Sequence, residues 1–193
     1  MKISDGTGKG FESKVDSTNK LSVRAVIEEQ QKESSILGES FTIFSGEMTL
    51  TSTVTRALVY FKNDDVRSAE VTAINLTNRE AVGSVATSHV YYRLNREPTG
   101  LSQGASACAT LVNHNFASDK TFDLTTDTGQ DSATINGGTV FETISVPLED
   151  TTRFKCNLTI PKGAALAIDA TAPSATTACT VSVGIQVHWL QDL

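Results

Sequence analysis

"CTVSVGIQVHW", residues 179–189, decides the fold. On an extended chain Cys179, Val181, Val183, Ile185, Val187 and Trp189 fall on one face, and Thr180, Ser182, Gly184, Gln186 and His188 on the other. Alternation sustained over that length is the signature of a β-strand with one face on a core, because a helix would scatter the same residues around its axis.

The period of two spreads outward from there. "RFKCNLTI" (153–160) and "MTLTSTVT" (48–55) alternate in the same way, and "ALVYFK" (57–62) is apolar on both faces, as in a strand covered on both sides. "AEVTAINL", "SHVYYRL", "CATLV", "TVFETISVP" and "ALAIDA" complete the set of strand candidates. Turn clusters punctuate them at Lys62-Asn63-Asp64-Asp65, Asn136-Gly137-Gly138 and Pro161-Lys162-Gly163. Many short strands with no helices between them imply antiparallel pairing in two packed sheets. The expected fold is therefore all-β, an antiparallel β-sandwich of jelly-roll type. Its threonine-rich composition suits pleated strands.

Two stretches escape this pattern. Residues 1–40 lack core-forming periodicity and read as an extended N-terminal arm, leaving residues 41–193 for the sandwich. "RAVIEEQQKESS" has too few apolar residues to supply a core helix. Residues 113–138 form a polar run with scattered apolar positions, expected to be one long, irregular acidic loop, and loops of that length are usually functional or ordered by a partner. Asp119, Asp123, Asp127 and Asp131 recur every fourth residue there, a spacing that would stack like charges on a helix. Phe116 and Phe122 are the exceptions, aromatic anchors for the loop on its own sandwich or on a neighbouring subunit.

Charge narrows the function classes. The net charge is −6, and the stretch 100–152 carries all of it, with Asp119, Asp123, Asp127, Asp131, Glu142, Glu149 and Asp150 against Lys120. An acidic region on a neutral remainder argues against a nucleic-acid grip, which needs clustered bases. No stretch approaches the ~18 apolar residues of a membrane span, and Met1 to Asp5 contain no apolar signal core, so folding in a cytosol and no membrane partner are expected. Cys108, Cys156 and Cys179 lack the spacing of a metal or redox site. Cys156 and Cys179 alternate in phase with core residues and read as small buried hydrophobes.

No motif demands an active site. Gly6-Thr7-Gly8-Lys9-Gly10 has Gly10 where a phosphate loop needs Ser or Thr, and neither a buried strand before it nor a helix after it. "DTGQD" (127–131) contains the Asp-Thr-Gly of aspartic proteases, but the apolar strand leading into the aspartate is missing. The aspartates are also too far apart for a calcium loop, which places ligands two residues apart. His89, His114 and His188 have no metal-ligand spacing and read as surface histidines. Neither cofactor, metal nor catalytic residue is expected.

A resemblance enters at the N-terminus. Gly6 to Gly10, Phe11, Lys14-Val15-Asp16-Ser17, Asn19 and Leu21 resemble the opening of a family of tailed-bacteriophage accessory virion proteins. "LVNHNFASDKTFD" (111–123) and "IPKGAALAI" (160–168) are similar to the same family. The resemblance implies a virion protein with a β-sandwich fold and no catalytic residues. It implies a capsid decoration or cement protein, made in the host cytoplasm, that docks on the major capsid protein or other virion proteins. The arm residues Gly6, Gly8, Gly10, Phe11, Val15 and Leu21 would carry the contact, through backbone bonds that form on docking. A homo-oligomer is expected, a trimer if the site is a capsid three-fold axis. The alternatives are a tail, baseplate or fibre-attachment component, or a receptor- or carbohydrate-binding module using the 113–138 loop.

Overall fold

The computed structural model describes residues 2–4, 12–14, 34–50, 53, 55–80, 89–102, 104–105, 110–129, 133–172 and 178–190. The chain divides into two units, Met1–Glu33 and Ser34–Leu193. In the first, β1 (Lys2–Ser4) pairs antiparallel with β2 (Glu12–Lys14). The proposed arm contacts Gly6, Gly8, Gly10, Phe11, Val15 and Leu21 lie outside the described residues.

The second unit is an all-β sandwich. Its strands are β3 (Ser40–Phe44), β4 (Met48–Leu50), β5 (Arg56–Asn63), β6 (Ala69–Glu80), β7 (His89–Leu101), β8 (Gly104–Ala105) and β9 (Thr110–Asn113). They continue with β10 (Leu124–Gly129), β11 (Ile135–Pro147), β12 (Asp150–Ile160), β13 (Ala165–Thr171) and β14 (Cys179–Trp189). One sheet has the order β11-β7-β13-β5-β10-β8, the other β12-β6-β14-β3-β9 with β4 also on β14.

The pairing is nested. β3 pairs with β14, β5 with β13, β6 with β12 and β7 with β11, all antiparallel. The chain is thus one long ribbon folded back on itself, and successive ribbon segments fall alternately on the two sheets. Cross-pairing of β14 with β6 and of β13 with β7 sews the segments together. That path is a jelly roll.

Two-sided burial follows from position in the sheet. Phe41, Ile43, Val59, Phe61, Ile74, Leu76, Leu94, Ile168 and the odd-numbered apolar residues of β14 form the core between the sheets. β14 differs from the half-buried strand that its alternation implies: on its polar face Ser182 and His188 are buried too. It lies between β6 on one edge and β3 and β4 on the other, and neighbouring side chains close over it. His188 is therefore not a surface histidine, because its Nε2 lies 2.8 Å from Glu70 Oε2. β5 is covered on both faces, and Tyr60, Ala165, Ala167, Leu101 and Ile135 form a second small apolar cluster. Leu101 and Ile135 come there because β7 kinks at Glu97 (φ 55°), opposite the bulge at Asn136/Gly137.

The 113–138 stretch corrects the expectation of an irregular loop. Leu124–Gly129 form β10, paired with β5 from Leu124↔Asn63 to Thr128↔Val59, and β11 starts at Ile135. Thr125, Thr126 and Thr128 are β-branched and suit a strand, here one with only the two-residue β8 on its outer side. Gly129 fits because a Cβ there would meet Ala57 O at 1.8 Å. The Asn136-Gly137-Gly138 cluster is likewise a bulge within a strand, not a turn between strands.

The sandwich also begins earlier than the apolar pattern indicates. The unit starts at Ser34, whose side chain is fully buried; 34–36 make one helical turn, and Glu39 O accepts a hydrogen bond from Trp189 N at 3.0 Å. Backbone bonds, not apolar side chains, tie these residues in.

Candidate interaction surface

Residues 113–123 bridge from the edge strand β9 to the core, and short-range polar chemistry folds them. Asn113 Oδ1 accepts a bond from Asn115 N (2.8 Å), and Asn115 Oδ1 accepts one from Ala117 N (3.0 Å). These are turns in which an Asn side chain takes the place of a backbone carbonyl. The two amides also reach across to the 34–38 turn: Asn113 Nδ2 donates to Gly38 O (3.0 Å) and Asn115 Nδ2 to Ile36 O (2.7 Å). Gly38 has φ 71°, and a Cβ there would lie 2.1 Å from Ser118 Oγ, so only glycine lets the turn and the loop approach this closely.

His114 clamps the loop to β3. Its Nδ1 lies 2.7 Å from Ser40 Oγ and its Nε2 2.8 Å from Thr42 Oγ1. Burial pushes its pKa below the ordinary 6.5, since desolvation disfavours the charged ring. The pair of hydroxyls has the look of a catalytic serine and base, but His114 has a second hydroxyl where an orienting carboxylate would be needed. The arrangement is a clamp.

The far end of the loop is anchored by an aromatic ring. Phe122 stacks on Phe41 with centroids 4.0 Å apart, and lies 6.1 Å from Trp189. Arg67 covers Trp189 at 4.8 Å and bonds both Asp65 and Glu39, while Lys120 Nζ reaches the same Glu39 carboxylate at 3.1 Å. Hydrogen bonding to Arg67 holds the Asp65 carboxyl below its usual range.

A loop held at so many points nevertheless displays apolar side chains. Phe116, at its apex, is 92% exposed, and Ile36 beside it is 64% exposed. Both line a shallow hollow with His114. Leu37 in the neighbouring turn and Leu111 and Val112 in β9 are also exposed. Phe122, the other aromatic of the loop, packs against its own sandwich, whereas Phe116 makes no ring contact among the described residues.

Other concave places lie elsewhere on the sandwich. A cleft of about 480 Å³ is lined by Phe141, Leu158, Ile160 and Leu166 with Arg96 and Glu97. A cavity of about 260 Å³ holds the ion pair of Arg93 and Asp169, bidentate with both bonds at 2.8 Å. Asp169 is buried, and Asn95 stands 3.5 Å from one of its oxygens. Asp127 lies in β10 beside Tyr60 and Lys62. Among the described residues no group of three or more His, Cys, Asp or Glu is placed to hold a metal. Burial raises the thiols of Cys156 and Cys179 to about 11, which leaves them protonated at neutral pH.

Reading the sequence missed Asn113, Asn115, Gly38 and His114. The signal was there in the spacing Asn-x-Asn-x-x-Ser, which marks consecutive side-chain-capped turns rather than featureless loop.

No family model matches the chain, and no curated protein matches it. Among solved structures, the chain is similar to the VP2 subviral particle of infectious bursal disease virus, at 11% identity and TM-score 0.22, covering 79% of this chain and 42% of that one. It is also similar to T=1 particles derived from the same virus, at 12% identity and TM-score 0.21, covering 79% and 40%. The chain spans about two fifths of those structures, and likeness at this level carries no argument about function.

Proposed function

We propose that the chain is a structural protein of a tailed-bacteriophage virion, a decoration or cement protein of the head. The observation that carries the reading is Phe116, an aromatic displayed to solvent from a loop that Asn113, His114, Asn115, Lys120 and Phe122 hold in place. A rigid, exposed aromatic binds a partner without first losing conformational freedom, which is how the strongest contacts of protein interfaces are built. The resemblance of residues 6–21, 111–123 and 160–168 to accessory virion proteins supports the same reading, and 111–123 is this loop. Ordered apolar surface of this kind is an assembly feature, and rims of polar residues confine it to one end of the sheet.

The test is co-sedimentation of the purified chain with heads that lack it. Wild type is expected to pellet with the heads and Phe116→Ala to lose at least tenfold in affinity. Pelleting with isolated tails and not with heads would replace the head reading by a tail component.

A further inference from the structure

We propose that the outer face of β7 and β13, around Tyr91 and Asp169, binds a neutral saccharide, with one ring in the cavity beside Asp169 and a second on Tyr91. The site shares no residue with the surface around Phe116, and the proposal does not rest on the docking role of that surface.

Strand register assembles the site. In β7, Tyr92 and Leu94 point into the core, so Tyr91, Arg93 and Asn95 share the outer face. Pairing with β13 sets Thr171 beside Tyr91, Asp169 beside Arg93 and Ala167 beside Asn95. Thr134, Ile135 and Gly137, where β11 begins, join Thr55 in walling a cavity of about 260 Å³ over Arg93, Asn95 and Asp169. That volume falls below the roughly 300–1,000 Å³ of sites for drug-sized ligands and suits a single small ring.

The chemistry of the cavity selects neutral hydroxyls. Asp169 is only 3% exposed, yet its side chain lines the cavity. Arg93 Nε and Nη2 donate to its two oxygens, both at 2.8 Å. A carboxylate has about four acceptor sites, so acceptor capacity remains for donors that enter the cavity. Asn95 Nδ2, at 3.5 Å, is too distant to saturate it. The ion pair also cancels the charges of Arg93 and Asp169, so a charged ligand would stay unpaired where burial disfavours charge. A hydroxyl group instead donates to Asp169 and accepts from the remaining guanidinium or amide donors without carrying charge. Thr55 and Thr134 add further hydroxyls to the wall.

Tyr91 supplies the apolar half of the site. A sugar ring has a face of C–H groups, and an aromatic side chain can cover that face while its polar tip stays wet. Tyr91 is 40% exposed, and His89 holds it: His89 Nε2 lies 2.6 Å from the Tyr91 hydroxyl, and the two rings meet edge to face at 4.8 Å. A platform fixed in advance binds without first losing conformational freedom. Alternate residues on one strand face are about 7 Å apart, so Tyr91 stands one ring away from Arg93 and Asp169. Two linked rings span both.

The test applies the full chain to a printed array of neutral and sialylated glycans, then titrates the tightest neutral binder into the nitrogen-15-labelled protein. A neutral glycan should be retained, and its titration should shift the amides of residues 91–95 and 169–171. Tyr91→Ala should weaken binding roughly tenfold, while Phe116→Ala leaves it unchanged. Tyr91 lies outside the core, so the variant should keep its fold, which thermal melting checks. Retention of no glycan, a preference for sialylated ones, shifts confined to other residues, or loss on Phe116→Ala in place of Tyr91→Ala would each overturn the proposal. Co-sedimentation with heads depends on other residues, so either result can stand while the other fails.

Discussion

His114 shows how a single residue sets the state of the loop. A neutral imidazole has one donor and one acceptor, and the hydroxyls of Ser40 and Thr42 can complement either tautomer. Because burial lowers its pKa below 6.5, the unfolded chain takes up a proton before the folded one does. Its contribution to stability is therefore complete above pH 6.5 and falls away as pH drops through that value towards the lower folded pKa. Once the intrinsic slowing of base-catalysed exchange is divided out, the protection of residues 113–118 should fall between pH 7 and 5, and His114→Phe should lose this dependence; an unchanged profile in the variant would assign the effect elsewhere. Gly38 acts through shape instead. Gly38→Ala strains a left-handed backbone and drives a methyl into Ser118, at a cost of about 2 kcal/mol, which a denaturant midpoint would read. The thiols give a third check at this scale. With pKa values near 11, Cys156 and Cys179 should react with alkylating reagents at pH 8 far more slowly in the native protein than after unfolding.

Among elements, the 113–123 loop and β10 depend on Phe122. Truncating its stacked, partly buried ring to alanine should cost about 2 kcal/mol and loosen the loop, leaving the β-sheet circular dichroism unchanged. Asp127→Asn should alter neither stability nor assembly, because β10 is held by its backbone pairing with β5. Elements were legible in the sequence in proportion to the apolar side chains they bury. β14, β12 and β5 announce themselves because alternate or successive residues must leave water. β10 does not, since "LTTDTG" is held by backbone pairing next to the sheet edge, with only the two-residue β8 beyond it, and buries few apolar side chains. The candidate surface was half legible for the same reason. The contrast of two aromatics with polar surroundings pointed to Phe116 and Phe122, but only the fold distinguishes the ring that anchors from the ring that is displayed. The burial of His188 was hidden because its cover comes from strands distant in sequence.

At the scale of the whole molecule, the nested ribbon explains why one end of the sandwich carries the display. The outermost pair of the ribbon, β3 with β14, leaves β3 near a sheet edge, and the connection between β7 and β11 supplies β9 and the loop to cover it. The loop is thus carried by the most thoroughly buried strands, through Phe41 and Trp189, and inherits their rigidity. This surface is ordered before its partner arrives. Hydrogen exchange on the full chain, free and bound to heads, tests that most directly. Residues 34–44 and 110–123 should already exchange slowly in the free protein and gain further protection on binding, with β11 and β12 unchanged. Fast exchange of 110–123 in the free protein, or protection confined to β11 and β12, would contradict it.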